Sequence, residues 1–287
     1  MTRVKRPPSV RQRRLGVELR RLREQAGLSA TRAAELFGAT QSRISNIESG
    51  GYAVSAERVR ALAKLYECGD DRLVEALTEM TGGRTRGWWE EYQGLVPDDT
   101  LELTELEHHA TSLRVASVIH IPGLLQTKEQ ARVVISGAVP PLAPFELEHR
   151  ASYRIKRQGV LYGAAPTSLT AIIHEAALRM DFGGPDVSET QLRFLLERSH
   201  EDHIQVLVIP FGAGLLPSAG HGIVQCDGEV PQLDTVLLDA DHGTVFIDNE
   251  AQLRAYRAVL DRMQASALDP ASSRDLIHRI ARDLRQG

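Results

Sequence analysis

The chain has 287 residues, 42% of them hydrophobic and 25% charged, with a formal net charge of −4 at pH 7. That balance excludes wholesale disorder and fibrous repeats, and no apolar run approaches the ~20 residues that would span a bilayer. The opening MTRVKRPPSV is basic but has no apolar stretch behind it, so it does not read as a secretory signal, and Cys68 and Cys226 suggest no disulfide framework; a cytoplasmic location is expected.

Charge is unevenly spread. Residues 1–87 carry 17 Lys/Arg against 10 Asp/Glu, a net of +7, so the remainder carries −11. At roughly 150 residues per domain the length suits two domains. A basic module joined to an acidic one suggests that the first part meets a polyanion, although a solvated charged face produces such clusters as often.

In chain order, Leu15, Leu19, Leu22 and Ala26 recur at helical spacing and predict a first helix stopped at Gly27. Ser29 reads as the N-cap of a short helix with Ala33, Ala34 and Phe37 inward, ending at Gly38, where a tight reversal needs positive φ. Thr40 caps the next helix, 41–49, which turns Ile44 and Ile47 to the core and leaves Gln41, Ser42, Arg43, Ser45 and Asn46 to an outside surface. Gly50 and Gly51 end it. Ser55 opens a fourth helix packing Val59, Leu62, Ala63 and Tyr66, and a fifth is predicted over 70–80. The glycines of TGGRTRG mark a linker over 82–87, dividing the chain into a basic arm 1–10, a helical domain 11–81 and a second domain 88–287.

Trp88, Trp89 and Tyr92 begin an aromatic helix. Further helices are predicted over 99–110, 126–136, 144–159, 175–181, 188–202, 249–266 and 272–285, and strands over 113–121, 169–174, 204–210, 222–226, 235–239 and 244–248. The expected fold is therefore a mainly α domain of five helices followed by a larger α+β domain.

A helix that ends in small turn residues and is followed by a capped polar helix can lay the second one in the major groove of DNA, which is ~12 Å wide. Gln41 and Asn46 can each present a donor and an acceptor to a base edge, adenine above all; Ser42 and Ser45 read less stringently, Arg43 can take a guanine or a phosphate, and Thr40 can combine its cap with a phosphate contact. The whole run GLSATRAAELFGATQSRISNIESG, with LGVELRRLREQAG before it and SAERVRALAKLY after it, resembles the Xre-type, lambda-repressor-like helix-turn-helix family. The resemblance implies that Glu48 pairs inside the fold with Arg23 and that the pair is structural. The chain departs from the family at Ala30, where many relatives place a backbone-contacting Gln, and in the loop 51–54, which lacks the common basic residues. Phosphate anchoring must then come from elsewhere; Arg3, Lys5, Arg6, Arg11, Arg13 and Arg14 form a candidate backbone-contacting arm, a solubilising tail being the equal alternative.

IPGLLQTKEQAR (121–132), the helix bearing Arg150, Arg154, Arg157 and Gln158, HEAALRM (174–180) and VLVIPFGAG (206–214) resemble the C-terminal domain of unknown function found in WhiJ-like actinomycete regulators. That resemblance implies regulation, sometimes with a small partner protein encoded nearby. Lys128 and Gln130 depart from the residues common there. No catalytic residue is assigned: Leu178 stands where H-E-x-x-H needs its second histidine, the remaining histidines lack ligand spacing, GAGLLPSAG lacks the Lys-Ser/Thr of a phosphate loop, and no serine lies in a G-x-S-x-G elbow. No metal and no cofactor is expected. Arg150, Arg154 and Arg157 fall on one helical face, where they are read as a ridge for an acidic partner or anionic effector, with Glu175 as a pairing residue and a solvated face as the commoner explanation.

Together these readings point to a non-enzymatic, sequence-specific regulator of double-stranded DNA, repressor or activator, expected to work as a homodimer with its second domain sensing a small protein or ligand. The alternative is an antitoxin-like autorepressor that sequesters a small cognate protein; a ligand-processing second domain is the third reading.

Overall fold

The first helix, α1 (Val10–Gln25), starts where Ser9 and Gln12 close a capping box: the Ser9 hydroxyl accepts from the Gln12 N–H at 3.3 Å, and the Gln12 side chain accepts from the Ser9 N–H at 2.9 Å. It stops at Gly27, whose φ of +70° lets the Gly27 and Leu28 N–H groups return to the carbonyls of Glu24 and Arg23. α2 (Ala30–Phe37) is capped by Ser29, α3 (Gln41–Glu48) by Thr40 and α5 (Asp71–Glu79) by Asp70, each side chain accepting an N–H from the first turn; α4 (Ala56–Leu65) follows Ser55 without such a bond. These elements come from a computed structural model that describes residues 7–82, 87–214, 216–217, 220–240 and 243–284.

Leu15, Leu19, Leu22, Ala33, Ala34, Ile44, Ile47, Val59, Leu62 and Tyr66 share one core, with Phe37 partly buried against it. Val230 and Leu233 belong to the same core. The first compact unit accordingly comprises the chain up to Glu90 together with Gly228–Asp234, so a short segment expected within 88–287 packs with the five helices instead. Arg14 is buried and donates to the backbone carbonyl of Gln232, and Gln232 donates to the Asp70 carboxylate at 3.2 Å. Of the expected linker 82–87, residues 83–86 lie outside the described residues.

The second unit holds a six-stranded sheet in the order β3-β2-β1-β4-β5-β6, formed by β1 (Ser112–Ser117), β2 (Ser168–His174), β3 (Ile204–Ile209), β4 (Ile223–Asp227), β5 (Thr235–Leu238) and β6 (Val245–Ile247). β1, β2 and β3 are parallel, with Leu113 beside Leu169 and Leu169 beside Ile204; β4, β5 and β6 continue antiparallel from β1. Parallel neighbours need crossovers. Two helices supply each: α7 (Lys128–Ser136) and α8 (Pro144–Arg157), then α9 (Glu175–Arg179) and α10 (Pro185–Arg198). α6 (Asp98–His109) precedes the sheet and α11 (Glu250–Ala265) and α12 (Pro270–Asp283) follow it.

Both sheet faces are covered. Leu113, Val115, Leu169, Ala171, Val206 and Val208 face Leu192 and Leu195 of α10 and Ile277 and Ile280 of α12, while Ala116, Ile172, Ile223 and Val236 face Leu253, Leu260 and Met263 of α11. Burial on both faces explains why these strands read as nearly continuous apolar runs. β1 is shorter than the expected 113–121, because the chain bends over residues 118–120 and reaches Pro122, which lacks the N–H that a ladder requires. α10 starts three residues before the expected 188, Pro185 presetting the φ of its first turn. The aromatic segment Trp88–Tyr92 forms a 3-10 rather than an α-helix.

Candidate nucleic-acid interface

The geometry of α3 follows from two inward residues. Ile44 and Ile47 are 1% and 4% exposed, which clamps the helix to the core and leaves Thr40, Gln41, Ser42 and Arg43 exposed and Ser45 and Asn46 half-buried. Gly38, at φ +68°, makes the reversal between α2 and α3 in a conformation that costs a residue with a Cβ. Gln41 donates to Ser45 Oγ at 2.9 Å, one helical turn on and facing solvent, so exchanging that bond for a base edge carries a small net cost. Asn46 donates to the Ser42 carbonyl at 2.8 Å and to its hydroxyl at 3.3 Å, which orients the amide along the helix. Thr40 Oγ1 accepts the Arg43 N–H at 3.2 Å and keeps its own proton for a phosphate.

Beside this helix a groove of about 470 Å³ brings Thr40, Ser42, Arg43 and Tyr52 together with Arg58 of α4. Sequence reasoning missed Arg58. It looked for basic residues inside the loop 51–54, whereas the first turn of α4 carries the guanidinium back to the groove. Arg43 and Arg58 make no side-chain hydrogen bond or ion pair among the described residues, so both remain available to a polyanion.

Arg23 and Glu48 form a two-pronged pair, Nε to Oε1 at 2.6 Å and Nη2 to Oε2 at 2.9 Å, with side chains 8% and 7% exposed. The third prong, Nη1, donates to the Leu28 carbonyl at 2.6 Å, so one guanidinium ties α1 to the end of α3 and to the entry of α2. The Glu48 hydrogen bonds raise the Arg23 pKa further, and burial, with Glu48 nearby, pushes the Tyr66 hydroxyl up to about 12.

The expected arm is divided. Arg3, Lys5 and Arg6 lie outside the described residues. Arg11, Arg13 and Arg14 are not in an arm but in the first turns of α1, because Ser9 starts the helix before them; Arg11 donates to the Glu79 carbonyl at 3.0 Å and Arg13 to the Pro8 carbonyl at 2.6 Å.

In the second unit, Arg157 is buried and pairs with Glu107 through two bonds of 2.6 and 3.0 Å, Arg154 is partly buried and donates to Gln126 Oε1 at 3.0 Å, and Arg150 is partly buried. The three are therefore not a solvated ridge. They turn inward and line a cavity of about 300 Å³. Glu175 does not pair with them: it holds Arg179 at 2.7 Å and accepts the Phe211 N–H at 2.8 Å, since α9 carries it to the end of β3. His174 caps α9, its Nδ1 accepting the Ala176 N–H at 3.2 Å. In the run 121–132, Gln126 is buried, donating to the Ile121 carbonyl and accepting at its own carbonyl from Gln158.

Burial works against the charge of Glu175, but the Phe211 amide and Arg179 outweigh it and hold its pKa below the ordinary value. A carboxyl group lowered by folding adds stability that is present above the ordinary carboxylate range and is lost as pH falls through the lowered value. Glu175→Gln is thus expected to flatten the acid limb of stability, followed by urea unfolding between about pH 6 and about pH 3. An acid limb of unchanged steepness would count against this anchoring.

A polar, capped second helix held by a short αL turn on a five-helix core defines a helix-turn-helix domain, and such a domain suggests a DNA-binding regulator. A helix-turn-helix domain profile matches residues 14–77. The profile of the domain of unknown function DUF5753 matches residues 100–279, and the chain belongs to that family. No curated protein and no solved structure matches it. Among the described residues no helix is long and apolar enough to cross a membrane.

Proposed function

We propose that the protein is a sequence-specific regulator of transcription that reads double-stranded DNA through α3, acts as a homodimeric repressor in the cytoplasm, and senses an effector through its second unit, with no catalytic step. The observation that carries this reading is the outward set Gln41, Ser42, Arg43 and Asn46 on a helix fixed from behind by Ile44 and Ile47. The Xre-type subdivision and the WhiJ-like actinomycete affiliation belong to the same proposal and are supported by GLSATRAAELFGATQSRISNIESG and by IPGLLQTKEQAR. A dimer reading two half-sites about one helical turn apart gives a short helix its specificity.

Selection from random duplexes, followed by titration of the preferred site, tests this. Gln41→Ala is expected to lose about 1–3 kcal/mol of discrimination at one base position. Arg43→Ala and Arg58→Ala are expected to weaken all sequences alike, each lowering the salt slope by about 1. Equal effects of all three on every sequence, or no preferred site at all, would overturn the reading.

A further inference from the structure

Three arginines line the cavity walled by α7, α8 and the start of α6, yet only one of them is neutralised. Arg157 has Glu107. Arg154 meets only the neutral carbonyl of Gln126, and Arg150 has its Nε buried with no hydrogen-bond partner among the described residues. Neither makes an ion pair there, and no carboxylate lines the cavity. Two partly buried guanidinium groups with no ion-pair partner among the described residues are costly, Asp239 and Glu107 acting on Arg154 only from farther off, and an anion entering between them lowers that cost. Burial, reinforced by the Arg157 charge, pulls Arg154 down to about 10, so it stays cationic at neutral pH.

The rest of the lining is mostly apolar, with the hydroxyls of Thr100 and Tyr153 as its polar groups and the latter donating to Thr104. Val96, Val134, Ile135 and Ala138 offer it no hydrogen-bonding side chain. The Arg154 fork is also held in advance, since Gln126 is itself fixed by the Ile121 carbonyl and by Gln158. A fork with fixed direction recognises planar or tetrahedral oxyanions through paired hydrogen bonds. At about 300 Å³ the space sits at the lower end of small-molecule sites.

We infer that this cavity is the effector site of the second unit and takes a small organic oxyanion, a carboxylate or phosphate monoester joined to a short apolar body, gripped by Arg150 and Arg154. The inference rests on the sensing role proposed above, but its test contains no DNA, so it succeeds or fails apart from base recognition.

Isothermal titration of the full chain in phosphate-free buffer compares four probes with the same six-carbon body: heptanoate, monohexyl phosphate, hexan-1-ol and hexyltrimethylammonium. At least one anion is expected to saturate a single site at least tenfold more tightly than the alcohol, with no binding of the cation; which anion does so separates carboxylate from phosphate effectors. Arg150→Gln and Arg154→Gln are each expected to weaken that anion tenfold or more, while Arg154→Lys keeps part of the affinity. Equal binding of alcohol and anion, binding of neither anion, or full affinity in both Gln variants overturns the site. The comparison of probes on the unaltered protein decides the matter even where a variant fails to fold.

Discussion

Replacing Glu48 with alanine is expected to destabilise the helix-turn-helix unit by about 3–5 kcal/mol and to abolish specific DNA binding, because it strands the buried Arg23 guanidinium without its carboxylate. The pair is buried on both sides and its geometry is two-pronged, which separates it from exposed pairs such as Arg20 with Glu24, worth about 0–1 kcal/mol. What Arg23 joins makes the loss functional: the ends of α1 and α3 and the start of α2 converge on it. Urea unfolding followed by circular dichroism measures the effect. The double variant Arg23→Met with Glu48→Leu should regain most of the stability, since an apolar pair of similar volume leaves no charge uncompensated. A cost below about 1 kcal/mol for Glu48→Ala would place the pair with the surface ones.

Gly16→Ala should reverse the sign that helix propensity assigns to it. In an exposed helix the change gains about 1 kcal/mol. Here the added methyl carbon would collide with the Glu48 carbonyl oxygen and lie 2.7 Å from that of Ile47, both backbone atoms that cannot rotate away. α1 and α3 must separate, and overpacking of this kind costs about 1–3 kcal/mol. Because the displaced element is the one proposed to read bases, the loss of affinity for the preferred duplex should exceed the loss of stability. Thermal unfolding and duplex titration of the same variant give both quantities. A variant as stable as the parent with unaltered affinity would mean that α1 and α3 do not meet at Gly16.

Much of the first unit was legible because its information is local. Caps at Ser29 and Thr40, the αL glycines Gly27 and Gly38, and the 3.6-residue recurrence of Leu15, Leu19 and Leu22 all act within four or five residues along the chain. The apolar period also identified Ile44 and Ile47 as inward, and with them the outward polar face proposed to meet DNA. Arg58 escaped because its relevance arises only when α4 folds back beside α3. Gly16 gave no signal of its own, a glycine inside a helix being as often tolerated as required.

The arginines of α8 divide the two kinds of knowledge most clearly. Their spacing determined by itself that Arg150, Arg154 and Arg157 share one helical face. Whether that face met water, a carboxylate or a cavity was decided by residues far along the chain: Glu107 neutralises one arginine, Gln126 directs another, and α7 and α6 roof the space. The same holds for Arg14, whose partner Gln232 is 218 residues away. Periodicity and capping are properties of the backbone's nearest turns and so are written in sequence. Burial and charge compensation depend on which distant segments collapse together, and only the packed tertiary structure selects those.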